Sequence, residues 1–149
     1  MKKSFFLFLI FIAIVAGYFY YSKPKPPVFR GMEAIQIKPI GTEGAELNAD
    51  LVFTNPNSMR TQLGKINATI SINKTQIAIL QEEFNAGISP QSDYHYPIQI
   101  RFEKKEVLSS LDSLSVISVD VSGNAGSSTM FSNYTLPIEF HSTIKLRII

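Results

Sequence analysis

Leu51-Val52-Phe53-Thr54-Asn55-Pro56-Asn57 closes a run in which Leu47, Ala49, Leu51 and Phe53 alternate with Asn48, Asp50, Val52 and Thr54. A period of two turns one face of a strand inward and the other to water. Asn55-Pro56-Asn57 ends that strand by local chemistry. Proline lacks the N–H a sheet ladder needs and restricts the residue before it, while asparagine side chains bond nearby backbone and favour a turn.

The same alternation recurs on either side. Upstream, Ile35 and Ile37 are apolar, with Pro39 and Gly41 ending the run. Downstream of Gly64, Ile66, Ala68, Ile70 and Ile72 alternate with Asn67, Thr69, Ser71 and Asn73. Asn73-Lys74 reads as a turn or a slightly longer loop, since lysine suits a positive φ poorly, and Ile77 and Ile79 return. After Pro90-Gln91-Ser92-Asp93, the apolar series Tyr94, Tyr96, Ile98, Ile100 and Phe102 resumes. Pro97 on its outward phase indicates an edge strand or a bulge. Val107, Leu108, Leu111 and Leu114 break to a spacing of three and four, which predicts a short helix over 104–114. Ile117, Val119 and Val121 return to period two, residues 123–128 read as a loop of small residues, and a last strand runs from Tyr134 through Leu136, Ile138, Phe140, Ile144, Leu146 and Ile148. About seven short strands with one helix predict an all-β, antiparallel sandwich.

The N-terminus is of another kind. Residues 5–21 carry no charge and follow Lys2 and Lys3, with Tyr18, Tyr20 and Tyr21 at the far end. As a helix they would extend about 25 Å, near the lower limit for a bilayer span, and tyrosine favours the membrane interface. Residues 1–22 are therefore expected to be a transmembrane anchor or uncleaved signal, inserted in the lipid bilayer through 5–21. Residues 23–30, opening with Lys23-Pro24-Lys25-Pro26-Pro27, form a stiff spacer, and 31–149 form the domain. The rival is a signal peptide cleaved near Val15-Ala16-Gly17, which would export the domain. The positive-inside rule is nearly balanced across the run. A short basic N-terminus before an apolar core favours placing the domain outside the cytoplasm, on the periplasmic or extracellular side.

Charge narrows the partners. Five of the fourteen Lys and Arg lie in the first thirty residues, with no acid among them. The domain keeps nine basic and twelve acidic residues, a formal −3. The basic pI belongs to the membrane flanks and gives no case for nucleic-acid binding, which needs a clustered basic face. Cysteine is absent, which excludes disulfides and thiolate metal sites.

No candidate for catalysis stands out. His95 and His141 fall on outward phases, and no second ligand is spaced to help either hold a metal. Glu82, Glu83, Glu103 and Glu106 lack the opposed environments that acid–base work requires. Neither a Gly-x-Ser-x-Gly elbow nor a phosphate-cradling glycine loop occurs. The expectation is a protein that is not an enzyme, with no cofactor and no metal site. Asn67, Asn73 and Asn133 sit in glycosylation sequons, although Asn and Thr populate wet strand faces anyway. Tyr94, Tyr96, Phe102, Phe131, Tyr134 and Phe140 read as core.

Four features in order carry a resemblance. These are the strand running into Asn55-Pro56-Asn57, the hairpin 66–79, Tyr96-Pro97-Ile98-Gln99-Ile100 after a Ser/Pro turn, and Leu136-Pro137-Ile138 leading into the last strand. Together they resemble the late-embryogenesis-abundant type 2 family, the water-stress and hypersensitive-response domain. The turn at Asn73-Lys74 lacks the glycine often found there, and the small-residue loop also departs from the pattern. The resemblance implies a fibronectin- or immunoglobulin-like sandwich without catalytic residues, protective under dehydration or envelope stress. Asn55, Pro56 and Asn57 are its structural signature, with no chemistry attached. It leaves two functions open: a stress-protective or structural envelope domain, and a module binding a lipid, apolar ligand or envelope protein beside the membrane.

Overall fold

A computed structural model describes residues 2–103, 107 and 116–145. It contains helix α1 (Lys2–Tyr21) and seven strands: β1 (Val28–Ile40), β2 (Gly44–Thr54), β3 (Thr61–Ile72), β4 (Thr75–Ile88), β5 (Asp93–Glu103), β6 (Val116–Ser128) and β7 (Asn133–Lys145). They form a three-stranded sheet in the order β1-β2-β5 and a four-stranded sheet in the order β4-β3-β6-β7, every pairing antiparallel. In the immunoglobulin constant arrangement the fourth strand shares a sheet with the fifth. Here it pairs with β3 instead, as in fibronectin-like sandwiches.

The inward phases read from the sequence meet between the sheets. Leu47, Leu51, Phe53, Leu63, Ile66, Ile70, Ile72, Ile117 and Ile138 are all buried. Burying one such side chain fully contributes about 1.5–3 kcal/mol, so this layer supplies most of the cohesion between the sheets. The two open sides are closed by aromatics. Phe84 on β4 stacks on Tyr96 on β5, with ring centroids 4.8 Å apart. On the other side, β1 bulges between Phe29 and Gly31. Gly31 has φ +134°, and a Cβ there would lie 2.9 Å from the Phe140 ring on β7. Only glycine accepts both that backbone and that contact. Pro97 and Pro39 lie on edge strands, where a missing N–H leaves no ladder bond unmade.

Several expectations are corrected. Residues 123–128 are part of β6 rather than a loop: Gly123 pairs with Ala68 and Ile138, and Ala125 with Ile66 and Leu136. A Cβ at Gly123 would fall 2.0 Å from the Asn67 carbonyl oxygen. The small residues therefore mark a close approach of central strands, which composition alone cannot separate from a loop. Asn73-Lys74 is a tight two-residue turn with both φ positive, and no longer loop is needed. Phe131, expected in the core, is exposed. Val52, on the outward phase of β2, is buried.

The helix expected over 104–114 lies outside the described residues except for Val107, which is helical and fully buried. Leu146 and Ile148 also lie outside them. At the N-terminus, no helix among the described residues is long and apolar enough to cross a membrane. The expected transmembrane span is thus corrected to an apolar helix whose uncharged part is about 25 Å long, short of the ~30 Å hydrocarbon core. The large apolar side chains of α1 are exposed, from 42% for Ile10 to 90% for Tyr21.

Strand directions sort the connections to two ends. The residues preceding β1, the 55–60 connection and the turns at 89–92 and 129–132 lie at one end, which is where α1 leaves the sandwich. The turns at 41–43 and 73–74 lie at the other.

Candidate functional site

Asn55-Pro56-Asn57 sits at the helix end, where β2 leaves one sheet and the chain crosses to β3 in the other. That crossover leaves backbone carbonyls of the connection itself and of the end of β4 without ladder partners. Asn55 is fully buried and satisfies them: its Nδ2 lies 2.8 Å from Met59 O, 3.1 Å from Ile88 O and 3.2 Å from Ser89 O. Two N–H groups are thus shared among three carbonyls. Its Oδ1 accepts from Asn57 N and from Thr61 Oγ1, each at 3.0 Å. The first bond closes the Asx turn that the sequence suggests. The backbone is held as well, by Asn55 N donating to Ser92 O and Gln91 N to Asn57 O. Among the described residues no buried side-chain polar atom is left without a partner.

Asn57 does something different. Its Oδ1 accepts from Lys25 N at 2.7 Å, and its Nδ2 donates to Lys25 O at 2.7 Å. One side-chain amide thereby pairs with both backbone groups of a residue 32 positions earlier, as a neighbouring strand would. Tyr134, at the start of β7, donates its hydroxyl proton to Pro24 O at 2.8 Å. The segment between α1 and β1 is therefore strapped to the sandwich by the β2–β3 crossover and by the start of β7. Beside the strap lies a crevice of about 200 Å³ bounded by Tyr21, Lys23, Lys25, Pro56 and Asn57.

Sequence reading placed Asn55, Pro56 and Asn57 at a turn and gave them no chemistry. It missed Lys25 and Thr61 as their partners, and Tyr134 as the residue that holds Pro24 beside them. Tyr134 lies on an inward phase, which correctly marks its ring as packed against the core but hides the reach of its hydroxyl. The spacer's prolines signalled stiffness, yet no local pattern shows which carbonyls another segment will use.

The remaining candidates do not converge. His95 is about half exposed, with Nδ1 3.9 Å from a Glu33 carboxylate oxygen and 3.8 Å from one of Asp50. His141, two-thirds exposed, is hydrogen-bonded to Asp120 directly across the β6–β7 ladder. Glu83 pairs with Lys65 at 3.6 Å, both well exposed. Glu82 and Glu103 lie on different sheets, and Glu106 is outside the described residues. Among the described residues no group of three His, Cys, Asp or Glu is placed to hold a metal.

Near the opposite end, Glu46 is buried on the outer face of the central strand β2. Asn48 Nδ2 donates to it at 3.0 Å and Arg101 Nε at 3.0 Å. Hydrogen bonds from Gln99, Asn48 and Arg101 together hold its carboxyl down at about 2, from an ordinary 4.5. Burial opposes the shift and is outweighed.

No protein-family model matches the chain, and no curated protein matches it by sequence. Solved structures do share its fold. The solution structure of AT1g01470 from Arabidopsis thaliana superposes with a TM-score of 0.66 at 15% identity, covering 81% of this chain and 83% of that one. The crystal structure of a protein from Archaeoglobus fulgidus superposes with a TM-score of 0.52 at 10% identity, covering 81% of this chain and 99% of that one. At such identities the likeness is one of architecture: this chain carries, behind its apolar helix, the same kind of β-sandwich as both.

Proposed function

We propose that this chain is a non-enzymatic, membrane-anchored domain of the late-embryogenesis-abundant type 2 kind, held outside the cytoplasm and acting there as a protective or structural element. One observation carries the reading. Asn57 and Tyr134 strap the segment that follows an exposed apolar helix to one end of a fully packed sandwich. A helix apolar on all sides is stable only inside a protein core or a membrane. Apart from the half-buried Val15, the described side chains of α1 stand exposed, and none belongs to the core of the sandwich. Insertion in a bilayer leaflet removes that surface from water, and the strap then sets how the domain stands above it.

The family assignment rests on the ordered motifs around Asn55-Pro56-Asn57, and the shared architecture is compatible with it. The rival reading, an apolar ligand or lipid held between the sheets, lacks an observation in its favour. The inter-sheet space is occupied by Leu47, Leu51, Phe53, Leu63 and Ile66. An envelope protein as partner would have to use the outer faces.

Flotation of full-length protein with lipid vesicles tests the anchoring. The protein is expected to rise with the vesicles, and a Phe8→Lys, Phe11→Lys double variant to remain below. Equal flotation of both would overturn the reading. Protection is tested by drying and rehydrating dye-loaded vesicles. Vesicles bearing the protein should keep more dye than bare ones, and equal leakage would leave only a tethering role.

A further inference from the structure

The turn between β6 and β7 exposes Met130 by 85% and Phe131 by 68%, the largest exposures of apolar side chains among the described residues of the sandwich. Nothing about folding asks for them. The turn is closed by Thr129 and Ser132: Thr129 N donates to Ser132 O at 2.8 Å, and Thr129 Oγ1 accepts from Phe131 N and Ser132 N. Any polar pair could occupy its tip.

Its position is informative. The turn lies at the end from which α1 leaves, and Tyr134, three residues beyond Phe131, is the residue that holds Pro24. Lys25 lies four positions beyond Tyr21 at the helix terminus, so the clasped residue stays within about 14 Å of that terminus. A headgroup layer is about 5–8 Å thick. That tether is short enough for the loops of the strapped end to come to the interface once α1 is inserted.

Charge agrees with this. Lys23, Lys25, Arg30 and Arg60 are exposed at that end, against a single exposed acid, Asp93, which accepts a hydrogen bond from Thr54. The domain as a whole carries more acids than bases. A locally basic, apolar-tipped end on an otherwise acidic domain is complementary to an anionic lipid surface.

We propose that the Met130-Phe131 tip is a second membrane contact, inserted among the headgroups and upper acyl chains of the leaflet that α1 enters, so that the sandwich stands on its strapped end. This rests on the anchoring reading above. With two attachments, the outer faces of both sheets point sideways and away from the bilayer.

The chain has no tryptophan, so Phe131→Trp introduces a single reporter on an exposed turn. The full-length variant would be incorporated in phosphatidylcholine–phosphatidylglycerol vesicles with brominated acyl chains, recovered by flotation, and its emission compared with that in non-brominated vesicles. An Ile79→Trp variant, exposed on β4 away from either end, serves as reference. The expected result is blue-shifted emission that loses most of its intensity to bromine at position 131, with no loss at position 79. Flotation without quenching at 131 would overturn the tip contact and leave anchoring intact. Equal quenching at both positions would mean that the domain lies on its side, which also overturns it. Failure to float would overturn the anchoring reading and this inference with it.

Discussion

The two ends of the sandwich are held together by different chemistry. At the end that carries α1, Asn55 and Asn57 form a buried, neutral network whose partners include Ile88, Ser89 and Lys25, more than thirty residues away. Near the other end, a carboxylate on an outer sheet face and a two-residue turn act instead. Glu46 there is held by Gln99, Asn48 and Arg101. The Asn73-Lys74 turn keeps both residues at positive φ, with Asn73 N donating to Ser118 O and its side-chain oxygen accepting from Ser118 N. Acid does not change the bonds of a neutral amide, but it weakens those that a carboxylate accepts. At the end from which α1 leaves, the network around Asn55 and Asn57 contains no carboxylate.

The comparison can be broken most strongly at Asn55. Asn55→Ala would strand the buried Ile88 carbonyl and the part-buried carbonyls of Met59 and Ser89, an unmet buried partner costing about 1–3 kcal/mol. A loss of about 3 kcal/mol in denaturant unfolding is expected, while a loss near that of an exposed substitution would show that water replaces the amide. Asn57→Ala comes next, at about 1–2 kcal/mol. Its distinctive sign is local, since hydrogen exchange at the Lys25 amide should quicken while exchange in β3 and β6 stays slow. At the other end the effect reverses. Lys74 pays for a left-handed backbone that glycine adopts freely, so Lys74→Gly should stabilise by about 1 kcal/mol. No gain would mean that the Asn73–Ser118 hook already fixes the turn at no cost.

The smallest expected effect is electrostatic. Because the Glu46 carboxyl is depressed in the folded protein, its contribution is present above pH 4.5 and is lost as pH falls toward about 2. Arg101 is three-quarters exposed, so the magnitude is modest. The difference in stability between wild type and Glu46→Gln should shrink across that window, whereas the difference for Asn55→Ala should not change. A pH-independent Glu46→Gln difference would contradict the contrast between the ends.

Much of the fold was legible because period-two alternation is a local signal. Leu47 to Phe53, Ile66 to Ile72 and Tyr94 to Phe102 all point inward as read, and Pro97 marks an edge strand. The errors arose where a residue's role depends on a neighbour distant in sequence. Gly123 looks like loop composition until Asn67 is seen 2.0 Å from its absent Cβ. Phe131 looks like core by residue type, yet the Thr129–Ser132 turn carries it outward. The site was half legible: Asn55 and Asn57 announce a turn, but the carbonyls they serve belong to β4 and to the segment before β1. Lys74 was read as a poor turn residue, and the structure keeps it there because Ser118 holds the preceding asparagine.

If the Asn57 and Tyr134 clasp joins the apolar helix and the sandwich as a single oriented unit, the two move together. Nitrogen-15 relaxation of full-length protein in lipid nanodiscs, compared with an Asn57→Ala, Tyr134→Phe variant, measures this. The wild-type domain is expected to tumble with the disc, and the variant's domain, still folded, to tumble faster than its disc. A wild-type domain that already tumbles independently of the disc would contradict it.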